Sequence, residues 1–128
     1  MDRIRVMLVD DHTLFRQGIR VLLETQDDIE VIGEAASGEE AIEQARQCQP
    51  DVILMDITLR GMDGLAATRA ILKESPGTKV LILTMHSGEG YFFRALEAGS
   101  SGYVLKEAAF AEVITSVKAV HQGGVFLY

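Results

Sequence analysis

Aspartates stand at positions 10, 11 and 56, a threonine at 84 and a lysine at 106, each at the end of a short apolar run. The runs are Val6–Val9, Val52–Met55, Val80–Leu83 and Tyr103–Leu105. Continuous apolar runs of this length suit strands covered on both faces of a parallel sheet. In an open parallel sheet the carboxyl ends of the strands share one edge, and ligands bind there. Asp10, Asp11, Asp56, Thr84 and Lys106 are therefore expected to converge on one crevice. Each alone has an ordinary reading as a loop start or a solvated charge. Their joint placement after every central run is what points to chemistry.

Two carboxylates about 4 Å apart repel by about 4 kcal/mol at an effective dielectric of 20. Three of them need compensation, and Lys106 supplies one positive charge. A hard divalent cation is the natural supplement, because magnesium favours oxygen ligands and keeps several waters. The cluster holds no His or Cys set of the kind zinc requires, and His12 is expected to face solvent at a helix start. Magnesium, a carboxylate, a hydroxyl and a lysine suit phosphoryl chemistry. Asp56 can attack phosphorus and become an acyl phosphate, while the metal, Lys106 and Thr84 answer the phosphoryl oxygens. A plain salt-bridge cluster would place more than one base among three acids.

The elements that must position these groups follow from the pattern between the runs. Ile29–Ile32 carries a charge and reads as an edge strand. Helical spacing sets Phe15, Ile19, Leu22 and Leu23 on one face, then Ala41, Ala45 and Cys48, then Leu65, Thr68, Ile71 and Leu72. Phe93, Leu96 and Glu97 follow, and Phe110, Val113, Val117 and Val120 come last. Ser37 caps the second helix with Glu39 and Glu40 in its first turn, and Gly99 and Gly123 sit where helix ends belong. Strand and helix alternate five times, so the expected fold is α/β with right-handed crossovers and helices on both faces.

A length of 128 residues implies one domain. Its apolar runs are too short to span a membrane, and Met1-Asp2-Arg3 shows no signal-peptide pattern. A single cysteine, Cys48, fits a reducing compartment, so the expected location is the cytoplasm. A formal charge of -7 argues against nucleic-acid binding by this domain itself.

In combination, Val9-Asp10-Asp11-His12, Leu54-Met55-Asp56, Met62-Asp63-Gly64, Leu83-Thr84, Ala98-Gly99 and Gly102-Tyr103-Val104-Leu105-Lys106 resemble the receiver domain of two-component response regulators, over the whole length. The wording is most similar to the NarL/LuxR-type branch. The resemblance implies a flavodoxin-like, CheY-like doubly wound (βα)5 fold with five parallel strands in the order 2-1-3-4-5. It implies a phosphoacceptor at Asp56, and Mg2+ held by Asp10, Asp11, Asp56 and the backbone carbonyl of Thr58. Thr84 and Lys106 match the groups that stabilise the phosphoryl, and Thr84 with Tyr103 the switch pair. Thr58 and His86 stand at positions that tune dephosphorylation in the family. The implied partners are a sensor histidine kinase and a second copy after phosphorylation. DNA is implied only through a C-terminal helix-turn-helix domain, expected in the full-length protein beyond residues 1–128. The apolar tail Val125–Tyr128 reads as a boundary before a linker. Where the family commonly has Met-Pro, this chain reads Thr58-Leu59-Arg60-Gly61, a freer loop because proline would fix a torsion.

Phosphate on Asp56 is expected to draw Thr84 toward it and let Tyr103 swing inward, reshaping the surface of the fourth helix, fifth strand and fifth helix. In Tyr91-Phe92-Phe93, Phe93 fits the buried stripe with Leu96. Phe92 or Tyr91 is then the exposed partner contact. The chain is not expected to be an enzyme beyond self-phosphorylation and slow autodephosphorylation. A phosphatase using Asp56 would want a general acid where Thr58 stands. A dinucleotide site would want glycines where Asp10-Asp11-His12 stands. A receiver acting by contact alone, without phosphate, is the other alternative.

Overall fold

The computed structural model describes residues 2–127; Met1 and Tyr128, the last residue of the expected tail, lie outside the described residues. In chain order the elements are β1 (Ile4–Val9), α1 (Thr13–Leu23), β2 (Ile29–Ala35), α2 (Gly38–Cys48), β3 (Val52–Met55) and α3 (Gly64–Glu74). They continue with β4 (Lys79–Thr84), α4 (Glu89–Glu97), β5 (Gly102–Leu105), α5 (Lys106–His121) and β6 (Phe126–Leu127). The strands are parallel and run β2-β1-β3-β4-β5-β6, so the expected order 2-1-3-4-5 holds. The tail adds a short edge strand that the sequence reading left as a simple end, with Phe126 opposite Gly102 and Leu127 opposite Tyr103.

The continuous apolar runs are explained by two cores, one on each face of the sheet. Successive strand residues point to opposite faces. Val6, Leu8, Leu54, Leu81, Leu83 and Val104 therefore join α1 and α5, while Met7, Val9, Ile53, Met55, Val80, Ile82 and Tyr103 join α2, α3 and α4. Burying each such side chain contributes roughly 1.5–3 kcal/mol, which is why the central runs Val6–Val9, Val52–Met55 and Val80–Leu83 are apolar throughout.

Local signals set the helix ends. The Ser37 hydroxyl accepts from Glu40 N at 3.1 Å, and the Glu40 carboxylate reaches back to Ala36 N at 2.6 Å. Asp63 caps α3 by accepting from Ala66 N at 2.8 Å. Gly99 and Gly123 take φ of 98° and 92° just past α4 and α5, a conformation that favours glycine.

Three faces differ from the sequence reading. On α4 the buried residue is Ala95, and Tyr91 and Phe92 pack against the core, while Phe93 and Leu96 stand 56% and 39% exposed. The small Ala95 lets the helix approach the sheet, and residues three and four positions before it share its face. Phe93 lies about 200° round from Ala95, so the exposed aromatic is Phe93 rather than Tyr91 or Phe92. On α5, Phe110 is 54% exposed. It leaves the Val113-Val117-Val120 stripe to meet Phe15 edge-on at 5.6 Å, over Gly18. Cys48 is half-buried, with Sγ 3.7 Å from the Ile32 carbonyl.

Candidate functional site

The site forms where β1, β3, β4 and β5 end. Backbone hydrogen bonds continue one step past the strands, Asp10 N to Ala35 O and Asp56 N to Val9 O, both at 3.0 Å. Those bonds hold the two aspartates at the sheet edge, 5% and 3% exposed. Lys106 opens α5 and turns its ammonium back over the edge. Its Nζ lies 2.7 Å from Asp10 Oδ2 and 2.9 Å from Asp56 Oδ2. It also sits 4.7 Å above the Phe15 ring, a cation–π contact.

One ammonium thus serves two buried carboxylates. Burial pushes the Asp56 carboxyl above its usual range, opposed by the hydrogen bond from Lys106 and reinforced by the charge of Asp10. Burial alone would lower Lys106, but the hydrogen bonds and charges of Asp10 and Asp56 outweigh it and hold the ammonium above its ordinary value. Lys106 therefore stays charged, and the cluster keeps an excess of negative charge that Lys106 alone does not answer.

Asp11 shows where further charge compensation fits. Its Oδ1 is buried and has no hydrogen-bond partner among the described residues. A buried carboxylate oxygen without a donor is costly unless a cation meets it. Donor atoms of Asp10, Asp11, His12 and Asp56 all lie within 4.8 Å of one another. Three of the four are carboxylates, the hard oxygen donors that suit magnesium.

His12 differs in part from the expectation that it faces solvent. Its side chain is 59% exposed, but Nδ1 turns inward, 3.2 Å from Asp10 Oδ1, 3.4 Å from Asp11 Oδ1 and 3.2 Å from Lys106 Nζ. Its backbone N–H donates to Asp10 Oδ1 at 2.8 Å. With Phe15, Thr84, Lys106 and Phe110 it lines an open cavity that leads to the cluster.

Thr84 ends β4 fully buried, and its hydroxyl accepts from His86 N at 3.2 Å. Tyr103 is 6% exposed and donates its hydroxyl to the His86 carbonyl. The ring therefore already lies inward, in contrast to the expected swing from outside. Phe92 braces it edge-on at 5.6 Å. Thr58, just beyond Asp56, turns its amide toward Asp56 Oδ1 at 3.4 Å, and its hydroxyl lies 2.8 Å from His86 Nε2. The His86 ring stacks on Tyr91 at 4.1 Å, under Arg94. Tyr91 and Phe92 therefore support the loop after β4 and stand outside the acidic cluster.

The loop after Asp56, read from the sequence as freer for want of proline, is tied down from α2. Met62 N donates to Glu39 Oε1 at 3.2 Å, and Ser37 pairs with Arg60 in an isolated bridge. Gly61 at φ 72° puts its backbone against the Glu39 carboxylate, where a Cβ would lie 2.8 Å from Oε1.

Sequence reasoning also missed a second base, Arg16. Its guanidinium donates to the Asp10 carbonyl and, through Nε, to Glu34 Oε1 at 2.7 Å. A signal was present, because an arginine in the first turn of a helix opposes the helix dipole and so needs a specific partner.

A family model for the response regulator receiver domain matches residues 6–118. The transcriptional regulatory protein LiaR of Bacillus subtilis (strain 168) is 42% identical over 120 residues, covering 94% of this chain and 57% of that protein. The response regulator protein VraR of Staphylococcus aureus (strain Mu3 / ATCC 700698) is 45% identical over 120 residues, with the same coverage of 94% and 57%. The chain thus spans a little over half the length of these relatives. A crystal structure of a LuxR-family two-component response regulator from Aurantimonas sp. SI85-9A1 superposes with a TM-score of 0.93 at 40% identity, covering 98% of this chain and 89% of that one. With a match across most of its length and the same fold in a close sequence relative, the chain belongs to the response regulator receiver domain family, in its NarL/LuxR branch.

Proposed function

We propose that this domain is a phosphorylation-dependent switch in which Asp56 accepts a phosphoryl group from a sensor histidine kinase. The observation that carries the reading is the buried Asp56 carboxylate on Lys106 beside the unpartnered Asp11 Oδ1. Asp10, Asp11, Asp56 and the Thr58 backbone carbonyl would hold Mg2+. The bound ion would neutralise phosphoryl oxygens that three carboxylates otherwise repel.

In the transfer, an Asp56 carboxylate oxygen attacks the phosphorus of phosphohistidine. The P–O bond forms as the P–N bond breaks, and the electron pair returns to the kinase imidazole. Lys106 keeps its charge throughout, and its ammonium, now on the Asp56 carboxylate, would answer the charge of the phosphoryl oxygens there. Thr84 exchanges the His86 amide for a phosphoryl oxygen. The change passes along the loop after β4 to α4 and to Tyr103, and so to the α4-β5-α5 surface.

The output is dimerisation and, in the full-length protein, DNA binding through a C-terminal domain, a reading in keeping with LiaR being a transcriptional regulatory protein. Thr58, with no acid of its own, gives little support to rapid turnover as a phosphatase, so the domain performs self-phosphorylation and slow autodephosphorylation at most. No described helix is long and apolar enough to cross a membrane.

The test is intact mass after incubation with Mg2+ and acetyl phosphate, with Asp56→Asn and EDTA as controls. One added phosphoryl group, lost in both controls, is the expected result. No adduct on the wild type at saturating Mg2+ would overturn the reading in favour of a receiver that acts by contact alone.

A further inference from the structure

Beyond the cluster itself, the structure contains a charged brace that no step above uses. Arg16 and Arg20, one turn apart on α1, both reach Glu34 near the end of β2. Arg16 Nε donates to Glu34 Oε1 at 2.7 Å, and Arg20 Nη1 donates to Glu34 Oε2. Glu34 and Arg16 are only 20% and 14% exposed. Burial would raise the Glu34 carboxyl, but the hydrogen bonds from Arg16 and Arg20 prevail and hold it below its usual value. Glu34 is therefore an ionised anchor. Its partner Arg16 spends the free arm of its guanidinium on the main-chain carbonyl of Asp10.

That carbonyl belongs to the planar Asp10–Asp11 peptide unit, so its direction bears on where both carboxylates leave the chain. Asp10 is held from its amide by Ala35 O and from its side chain by His12 N and Lys106. Asp11, by contrast, has no hydrogen-bond partner on its buried Oδ1 among the described residues. That oxygen is aimed mainly by the main chain, with the His12 ring 3.4 Å away, and Arg16 holds the carbonyl side of that main chain as Ala35 O holds its amide.

We infer that Arg16, anchored by Glu34, is a positioning residue that pre-aims the Asp10–Asp11 pair for Mg2+. The inference rests on the metal reading proposed above. It also has a sign that separates it from electrostatics. Removing the Arg16 charge leaves the site more negative, because Glu34 remains paired with Arg20, and charge alone would then tighten cation binding. Loss of the positioning contact weakens it instead, and partners outside the ligand shell are typically worth about 10- to 100-fold in metal affinity.

The experiment is a Mg2+ titration of the intact domain followed by backbone amide NMR shifts, for wild type, Arg16→Gln and Arg16→Lys. Acetyl phosphate labelling at saturating Mg2+ runs in parallel. Lysine keeps the charge but lacks the fork that reaches Glu34 and the Asp10 carbonyl together. Both variants are expected to bind Mg2+ about 10-fold more weakly, with labelling rates at saturating Mg2+ close to wild type. Tighter binding by Arg16→Gln with no change in Arg16→Lys would make Arg16 a charge and nothing more. Unchanged affinity in either folded variant would reduce the brace to structural support. Both results overturn the inference while leaving the phosphoacceptor reading intact, whereas a wild type that binds no Mg2+ overturns the metal reading itself.

Discussion

Gly64 opens α3 eight residues after Asp56, and changing it to alanine sets two opposed effects against each other. By helix propensity alone alanine is better than glycine by up to about 1 kcal/mol. The structure opposes that gain. A Cβ at Gly64 would lie 1.9 Å from the Asp56 carbonyl oxygen, 2.8 Å from its carbon and 2.9 Å from Ile57 Cα. All three are backbone atoms at the end of β3, so no side chain can turn aside, and a real contact needs more than 1 Å of main-chain displacement. Overpacking of this kind costs about 1–3 kcal/mol, and an all-backbone clash belongs at the upper end. Taking about 3 kcal/mol for the clash and up to about 1 for propensity leaves a net loss of about 2 kcal/mol. For a domain of this size that lowers Tm by about 8 °C. Gly90 on α4 is the control, since nothing lies within 4 Å of its built Cβ. Gly90→Ala should raise Tm by a few degrees. Thermal unfolding by circular dichroism reads both, and acetyl phosphate labelling of Gly64→Ala should fall because the clash displaces Asp56 itself. If Gly64→Ala were as stable as Gly90→Ala, the close approach at the end of β3 would not be what requires glycine there.

The tether from α2 should be felt at the metal loop. Glu39→Ala removes the acceptor for Met62 N and is expected to weaken Mg2+ binding about 2- to 3-fold, as suits one exposed hydrogen bond, while Glu39→Gln, which keeps an acceptor oxygen, stays near wild type by the same titration. Glu34, whose carboxyl is held low, contributes stability that is complete above its unfolded value of about 4.5 and fades as pH falls through the lowered folded value. The Tm gap between wild type and Glu34→Gln should therefore be constant near neutrality and close in acid; a gap that widened in acid would reverse the assignment. Beryllofluoride, a phosphoryl mimic, should shift the His86 and Thr84 amides by NMR and leave the Tyr103 ring signals nearly in place; a large Tyr103 ring shift would show that the ring is the moving part.

The strands and the acidic cluster were legible because both follow from short-range pattern. A run buried on two faces must be apolar throughout, and the residue that ends it must be at the sheet edge. Arg16 was not legible in the same way, because its partners are an aspartate carbonyl six residues back and a glutamate eighteen residues on. Main-chain acceptors leave no mark in the sequence. The face of α4 was misread because Phe93 outweighs Ala95 in any count of hydrophobicity. A helix packed close to a sheet selects the small residue for contact and lets neighbouring aromatics fill the flanks. Phe110 went the same way, leaving an apolar stripe for an aromatic partner on α1. The loop after Asp56 lacks its proline, but the restraint comes from α2 through Glu39 and Ser37, and no spacing rule connects those positions to Met62 and Arg60.

The main chain of His86 ties Thr84 and Tyr103 together. Its N–H is given to Thr84 and its carbonyl accepts from Tyr103, while its ring meets Thr58 beside the acceptor and stacks on Tyr91 of α4. On the proposed reading, a phosphoryl oxygen on Asp56 would accept a charge-assisted hydrogen bond from the Thr84 hydroxyl, and reaching it would turn the oxygen away from the His86 N–H it now accepts from. Once Thr84 turns, His86 N loses its acceptor in a half-buried loop and must find another, which moves the whole peptide. Tyr103 can follow that carbonyl without leaving the core, because burial raises its hydroxyl above the ordinary range and keeps it a neutral donor. Phe92 closes the space behind the ring at 5.6 Å, so an outward swing would empty a cavity costing several kcal/mol, of the order measured for large-to-small core changes. Shifting a loop that exchanges one hydrogen bond for another costs far less. On the proposed reading the signal would leave Asp56 through the loop after β4 and the start of α4, with Tyr103 following the His86 carbonyl from within the core.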